Sequence, residues 1–339
     1  MNKPIAIATC PVDESLLESL NDQVEIRYAQ TTNRRISLAE QVADQLAEAH
    51  IIVAEIDLVD KATLAAAPNL QLVISCRASP VNVDLDACRE RGVPVCTTPG
   101  RNADSTADLS FALILDVTRR VTEASMWMRS GQWKPEDSGE PYRRFKGPTL
   151  NSRTLGVVGG GAVGQRVAQR GLGFGMEVQV YDPFLTQDRL PKGCTIATLD
   201  HLLCTSDVVT LHVPLLEDTI GLINEQRLSQ MREGAYLVNA SRAAVVVQPA
   251  LVRFLQDGHL AGVGLDVFAD EPPAADDPLL ELPNVVVTPH IAGASADVVR
   301  SQTKMVAEII SAYLDEAELP YRAREDLVDF RKVDAAAAL

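Results

Sequence analysis

Short apolar runs alternate with amphipathic helical patterns along most of the chain. Helical spacing is clear over residues 37–49 and 84–92, each between two runs rich in β-branched residues. Continuous apolar strands separated by helices are typical of a parallel sheet covered on both faces. The pattern therefore predicts an α/β fold. The strand candidates of the first third are IAIATC (5–10), VEIRYA (24–29), HIIVAEI (50–56), LQLVISC (70–76) and VPVCTTP (93–99).

A second alternating series follows a break in the pattern. Residues 104–129 have the spacing of one long helix, and residues 131–153, rich in Gly, Pro and charge, are predicted to be loop. The last helix is predicted over 296–316, before a charged tail that we expect to fray. The strand candidates between them are TLGVVG (154–159), EVQVYD (177–182), DVVTLHV (207–213), AYLVNA (235–240), GVGLDV (262–267) and NVVVTP (284–289).

Length and composition narrow the class of protein. A chain of 339 residues with 46% hydrophobic and 23% charged residues is typical of a globular protein with two domains. The net charge of −15 argues against a broad surface for nucleic acid or anionic membranes. The N-terminal apolar run is too short for a signal peptide, and no run approaches the ~18 residues of a membrane span. We expect a cytoplasmic protein without nucleic-acid or membrane partners.

Six cysteines are scattered along the chain. None forms a C-x-x-C pair, and no cysteine–histidine group has the spacing of a zinc site, so no metal is expected. We therefore expect the cysteines to be small buried residues of a protein in a reducing compartment.

A glycine-rich turn opens the second series. Gly159-x-Gly161-x-x-Gly164 stands between a predicted strand and a predicted helix, the context in which such glycines bind the pyrophosphate of a dinucleotide. Asp182, at the end of the next strand, is placed to bind the adenine ribose and would repel a 2′-phosphate. This favours NAD over NADP. The alternative is a glycine-rich turn without a ligand.

Three polar residues follow strand candidates of the second series: Arg242, Glu271 and His290. The carboxyl ends of parallel strands share one sheet edge, where ligands bind. A histidine suits proton exchange near neutral pH, a carboxylate fixes its tautomer, and an arginine can bind a substrate carboxylate through two N–H groups. Spacing alone leaves simpler alternatives open, namely a turn histidine, a surface ion pair and a solvated loop acid.

Taken together, the motifs resemble the D-isomer-specific 2-hydroxyacid dehydrogenases, a family that includes 3-phosphoglycerate dehydrogenase. The resemblance covers roughly residues 5–320. It rests on RASPVNVD (77–84), GRNADSTAD (100–108), GGGAVG (159–164), LHVPL (211–215), VNASR (238–242), LDVFADEP (265–272) and TPHIAG (288–293).

The resemblance implies an architecture. Residues 1–99 and 298–339 would form a flavodoxin-like substrate domain, and an inserted Rossmann NAD-binding domain would comprise 100–297, with a cleft between them. It also implies a homodimer built on the NAD domain, with the helix after residue 103 in the interface.

Site residues carried over from the family fall into three groups. Arg242, Glu271 and His290 match the catalytic set, and Asp266 matches an acid that contacts the nicotinamide carboxamide. Ser79 departs from the family's usual glycine. The cofactor-binding set is Gly159, Gly161, Ala162, Val163, Gly164, Asp182, Val213, Pro214, Thr219, Ala240, Asp266 and His290. The substrate-binding set is Arg77, Ala78, Ser79, Arg101, Arg242 and His290.

The implied activity is NAD-dependent interconversion of a D-2-hydroxy acid and its 2-oxo acid. Arg77 and Arg101 are local cations in an acidic chain, so we expect a small substrate with a second anionic group, 3-phosphoglycerate-like or phosphonate-bearing. Arg77 could instead belong to a structural ion pair, and the basic loop 141–148 could be a solvated connector or reach a cleft.

The sequence is also compatible with two other functions. One is an NAD-sensing, corepressor-like binding module without turnover, and the other is a phosphite-type dehydrogenase. A formate-type enzyme is less favoured because that branch has Gln where this chain has Glu271.

Overall fold

The structure, a computed structural model, describes residues 3–32 and 34–323. The chain forms two compact units, one comprising residues up to Arg101 together with those from Ser295 onward, the other comprising Asn102–Ala294. The predicted domain boundaries, after residues 99 and 297, fall close to these limits. The tail predicted to fray begins after residue 316. Its described part is held by hydrogen bonds from the Thr97 N–H to the Tyr321 carbonyl at 2.9 Å and from the Ala323 N–H to the Val95 carbonyl at 2.8 Å, so the prediction is wrong there. The tail beyond residue 323 lies outside the described residues.

The first unit contains, within its described residues, a five-stranded parallel sheet of order β2-β1-β3-β4-β5, as in flavodoxin. Its helices begin at side-chain caps: Ser37, Asp60 and Asp84 each accept a backbone N–H from the first turn. The elements are β1 (Ile5–Ala8), β2 (Glu25–Tyr28), α1 (Leu38–Leu46), β3 (Ile51–Ala54), α2 (Lys61–Ala66), β4 (Leu72–Ser75), α3 (Leu85–Glu90) and β5 (Val95–Thr97).

Both faces of this sheet are covered. One face packs on the three helices just named, and the other packs on the helix Ala296–Leu314 through buried Val306, Ile309 and Ile310. Full burial of β3 and β4 explains why their runs are continuously apolar rather than alternating.

The second unit contains, in the part of the chain described, a seven-stranded parallel sheet of order β12-β11-β10-β9-β6-β7-β8. This is the Rossmann strand order, extended by one strand. All strands are parallel, and successive strands are added on one side of β6 up to β8 and on its other side from β9 onward. Its elements are α4 (Ala103–Arg119), α5 (Val121–Arg129), α6 (Glu140–Arg144), β6 (Thr154–Val158), α7 (Ala162–Gly173), β7 (Glu177–Tyr181), β8 (Cys194–Ile196), α8 (Leu199–Thr205), β9 (Val208–Leu211), α9 (Glu225–Gln230), β10 (Ala235–Asn239), α10 (Gln248–Gln256), β11 (Leu260–Leu265), α11 (Pro278–Glu281) and β12 (Val285–Val287). The helix Ala296–Leu314 is α12.

The prediction of a single long helix over 104–129 is wrong, because the structure has two helices there, α4 and α5. Arg120 adopts a left-handed conformation, with φ 53° and ψ 43°, and separates α4 from α5. The carboxylate of Asp116 accepts the backbone N–H of Thr122 at 2.7 Å, so a side chain replaces the helical acceptor at the break.

The loop prediction over 131–153 is wrong in part, because this stretch contains α6. Phe145 packs edge-on against Trp127 at 5.4 Å between ring centroids, and the Arg120 guanidinium lies 5.6 Å from the Phe145 ring centre. These contacts bring the segment back onto α5. Tyr142, 89% exposed, still faces solvent as expected for a connector.

Three observations concern the predictions on membrane spans, metal sites and cysteines. In the described part of the chain, no helix is long and apolar enough to cross a membrane, and no group of three or more metal-binding side chains comes together. Five cysteines are buried as predicted, but Cys204 is exposed.

Candidate active site

The glycine turn between β6 and α7 has the geometry that the motif predicts. Gly159 has φ +99°, and a Cβ atom there would lie 2.7 Å from the backbone carbonyl carbon of His212. A Cβ atom at Gly164 would lie 1.9 Å from the carbonyl oxygen of Gly159. A side chain is therefore excluded at Gly159 by the backbone after β9 and at Gly164 by the close approach of the helix to the turn.

The start of α7 fits the phosphates of a dinucleotide. Gly161 precedes the helix, is exposed, and would have open space around an added Cβ, while no side chain caps the first turn. Helix N–H groups at such an end favour anionic oxygen. Of the next two predicted residues, Ala162 is exposed and Val163 is half-buried.

Asp182 stands at the carboxyl end of β7, beside this turn. Its two carboxylate oxygens accept the backbone N–H groups of Gly160 and Phe184, each at 2.9 Å. These bonds fix the carboxylate and leave lone pairs for ribose hydroxyls. The negative charge at this point fits NAD better than NADP, as the sequence predicts.

The remaining predicted cofactor residues lie after β9 and β10. Val213 is half-buried and Pro214 is exposed, and both belong to the turn that follows β9. Thr219 stabilises this turn, since its hydroxyl donates to the Pro214 carbonyl at 2.6 Å and accepts the Leu216 N–H at 2.7 Å. Ala240 follows β10 and is buried.

His212, which no site prediction included, directly precedes this turn. Its Nε2 lies 2.9 Å from the Thr210 hydroxyl, and Nδ1 is buried with no hydrogen-bond partner, although the residue as a whole is half-buried. Burial lowers the pKa of His212 to about 3. The ring is therefore neutral at physiological pH and does not act as an acid there.

His290 and Glu271 come together, as predicted. His290 Nδ1 lies 2.6 Å from Glu271 Oε2, and the two side chains are 45% and 39% exposed. A carboxylate only accepts, so the proton sits on Nδ1 and Nε2 is left to exchange a proton with a bound molecule. The pairing fits the predicted orientation of the histidine by a carboxylate, and the catalytic role of the pair stays a prediction.

The loop that carries His290 is held by Asp266. Asp266 directly follows β11 and is fully buried. Its carboxylate accepts the Thr288 hydroxyl at 2.6 Å and the backbone N–H groups of Ile291 and Ala292 at 2.9 and 2.8 Å. The predicted contact of Asp266 with nicotinamide stays a prediction.

Arg242 lies after β10, the strand next to β11 in the sheet. Its guanidinium donates to the Ser241 carbonyl at 2.6 Å, and among the described hydrogen bonds none joins it to Glu271 or His290. Asn239 holds its loop: the carboxamide donates to the Arg242 carbonyl at 2.9 Å and accepts the Ser241 N–H at 3.0 Å.

Asn239 and Thr288 were missed by the sequence reasoning. Both lie within the quoted motifs, Asn239 as the last residue of β10 and Thr288 just after β12. Their position at strand ends, two or three residues before a predicted catalytic residue, is the signal that could have identified them.

The predicted substrate residues of the first unit follow β4 and β5. Arg101 forms an ion pair with Glu55 and donates to the Gln302 side chain, so its charge is compensated inside its own unit. Arg77 is half-buried, with Nη1 3.5 Å from the Glu55 carbonyl. Of the other two, Ala78 is exposed and the Ser79 carbonyl accepts the Val81 N–H at 2.9 Å.

Comparison with known proteins identifies the family of the chain. The family model described as "D-isomer specific 2-hydroxyacid dehydrogenase, NAD binding domain" matches residues 111–292. A glyoxylate reductase of Korarchaeum cryptofilum is 41% identical over 276 residues, which cover 81% of this chain and 82% of that protein. A D-3-phosphoglycerate dehydrogenase of Mycobacterium tuberculosis is 36% identical over 299 residues, covering 88% and 54%.

A solved structure is similar over both units. The D-lactate dehydrogenase of Aquifex aeolicus, complexed with NAD and lactic acid, has a TM-score of 0.70 and 31% identity, and the match covers 92% of this chain and 96% of that one. The fold and the site define an NAD-binding α/β oxidoreductase. The chain belongs to the D-isomer specific 2-hydroxyacid dehydrogenase family.

Proposed function

We propose that this protein catalyses NAD-dependent interconversion of a D-2-hydroxy acid and its 2-oxo acid, with His290 as the acid and base. The observation that carries the proposal is the 2.6 Å contact between His290 Nδ1 and Glu271 Oε2 at the carboxyl edge of a sheet with a dinucleotide-type glycine turn. A histidine paired with a carboxylate in this way has one nitrogen oriented and the other available.

Each residue has a distinct part in the proposed reaction. His290 Nε2 gives a proton to the substrate oxygen during reduction and takes it back during oxidation. Glu271 holds the ring in one tautomer and one orientation. Arg242 binds the substrate carboxylate through paired N–H groups. The glycine turn 159–164 and Asp182 would hold NADH, which would supply the hydride when bound.

Two substrate classes are candidates. Compensation of Arg101 by Glu55 removes one of the two cations that favoured a second anionic group. The 41% identical relative is named a glyoxylate reductase, which supports a short 2-oxo acid as the first candidate. The doubly anionic class remains the second candidate, favoured by Arg77 at the end of β4 and by a 36% identical phosphoglycerate dehydrogenase.

The proposal is tested by following NADH absorbance across a panel of 2-oxo acids. The panel contains glyoxylate, hydroxypyruvate, pyruvate, 2-oxoglutarate, 3-phosphohydroxypyruvate and phosphonopyruvate, with phosphite and NAD in a separate reaction. Turnover should be lost in His290→Ala and kept in His201→Ala, which removes an exposed histidine elsewhere in the second unit. NADH binding without turnover on any acid would refute both proposed substrate classes and would support either a binding module or a substrate outside the panel. Turnover of phosphite alone would refute a 2-oxo acid as the substrate.

We further propose that the protein acts in the cytoplasm as a homodimer built on the second unit. Val121, Met126 and Met128 on α5 are 56%, 67% and 55% exposed, which is unusual for apolar side chains on one short helix. Light scattering of the wild type and of Met126→Glu tests the dimer, since a charge at this position should favour the monomer.

A further inference from the structure

Asp266 is a fully buried carboxylate in the candidate active site. Among the described hydrogen bonds, none joins it to the side chain of Glu271, His290 or Arg242. All three of its side-chain bonds go to residues 288–292, the segment on either side of His290. Burial of a charged group is unfavourable unless donors compensate it, and here each donor belongs to the catalytic loop.

His290 has an unusual backbone conformation. Its φ is +53°, in the left-handed region that residues other than glycine, asparagine and aspartate seldom adopt. Its own N–H donates to the Thr288 carbonyl at 3.0 Å, which closes a tight turn. Such a conformation persists only where its surroundings impose it. The bonds from Asp266 to Thr288, Ile291 and Ala292 surround the turn and impose it.

The segment after β11 also supplies the group that orients the ring. Glu271 Oε1 accepts the Phe268 N–H at 3.2 Å, and Oε2 contacts His290 Nδ1 at 2.6 Å. Asp266 therefore fixes the backbone of the histidine, and Glu271 fixes its imidazole. Both acids follow β11, so the same segment fixes the position of the loop and the orientation of the ring.

We propose that Asp266 is a positioning residue for His290, through the three hydrogen bonds that fix the 288–292 loop. This rests on the proposed role of His290 as acid and base. It differs from the cofactor contact that the family resemblance implies for Asp266. Three of the roughly four lone-pair sites of the carboxylate are already used inside the protein, and none of the residue is exposed.

The first test compares Asp266→Asn with Asp270→Asn, an exposed acid in the same segment. An amide offers one acceptor oxygen in place of two, so at least one loop donor loses its partner. We expect kcat of Asp266→Asn to fall about tenfold to a hundredfold, as when a catalytic group is displaced by about 1 Å, with KM for NADH changed less than about threefold. Asp270→Asn should match the wild type.

A second pair of variants addresses the loop without touching the carboxylate. Thr288→Val keeps the shape of the side chain and removes one donor, and Thr288→Ser restores the hydroxyl. We expect kcat to fall severalfold in the first and to recover in the second. This pair carries the test if Asp266→Asn does not fold.

Proton NMR of the imidazole N–H groups gives a readout that does not depend on turnover. The Nδ1–H of His290, bonded to Glu271, should resonate downfield and be identified by its loss in His290→Gln. Positioning by Asp266 predicts that this signal broadens or moves in Asp266→Asn and Thr288→Val, but not in Asp270→Asn. An unchanged signal, or a raised KM for NADH with unchanged kcat, would overturn the proposal. Inactive wild-type protein would refute the proposed function alone, since the NMR comparison would still decide the role of Asp266.

Discussion

Replacing Glu271 with glutamine tests the contact on which the proposed chemistry depends. The 2.6 Å distance from His290 Nδ1 identifies a charge-assisted hydrogen bond, and such bonds contribute about 1.5–3 kcal/mol. The side chains are 45% and 39% exposed, so water competes for both groups and the lower figure applies, about 1.5 kcal/mol. Because about 1.4 kcal/mol corresponds to a factor of ten in rate, Glu271→Gln should lower kcat/KM about tenfold.

Glutamine keeps the length of the side chain and leaves an oxygen that can still accept from Nδ1, so the loss reports mainly on charge. The assay is NADH oxidation at saturating cofactor with the preferred 2-oxo acid. Glu281→Gln, an exposed acid at the end of α11, is the matched control. A Glu271→Gln enzyme within about twofold of the wild type in kcat/KM would refute the role of this pair. A change confined to KM for NADH would refute it equally, since it would place Glu271 at the cofactor.

Three further predictions follow from single contacts. Gly164→Ala places a Cβ 1.9 Å from a backbone carbonyl of the turn and should abolish NADH binding by fluorescence titration, whereas Gly173→Ala on the same helix meets no atom within 4 Å and should bind normally. Asp182→Asn should raise the use of NADPH relative to NADH about tenfold, because a like charge near a 2′-phosphate costs on the order of 1–4 kcal/mol. Since burial lowers the pKa of His212 to about 3, the unfolded chain binds a proton that the folded chain does not, and stability falls as pH drops from about 6.5 toward 3. The free energy of unfolding, measured in urea as a function of pH, should have a slope smaller by one proton in His212→Gln than in the wild type within this window. His201→Gln, which replaces an exposed histidine, should keep the wild-type slope. Equal slopes in all three proteins would refute a buried neutral His212.

Most strands could be placed from the sequence because their signal is local. Buried parallel strands such as β3 and β4 are continuous apolar runs, and those runs survive in any tertiary context. The strand that was missed, β8, lies at the edge of its sheet and has two exposed residues out of three, so its pattern resembles that of a loop.

The helix break at Arg120 and the helix α6 needed tertiary contacts. Apolar spacing continues through Arg120, so periodicity alone predicts one helix. The helix ends at Arg120 because of two contacts: the Asp116 carboxylate accepts the Thr122 N–H, and the Arg120 guanidinium stacks on Phe145. The second contact joins residues 25 positions apart. Propensity does not report interactions of that range.

The α/β class, the glycine turn with Asp182, and Arg242, Glu271 and His290 as candidates could all be predicted from residue order. These follow from backbone requirements and strand ends, which are read residue by residue. The hydrogen-bond and ion-pair partners of these groups became visible once the chain was folded. The fold places Glu271 on His290, Asp266 under the loop of His290, and Glu55 against Arg101. Partner choice depends on distances between side chains brought together by the sheet, and a linear sequence carries no distances.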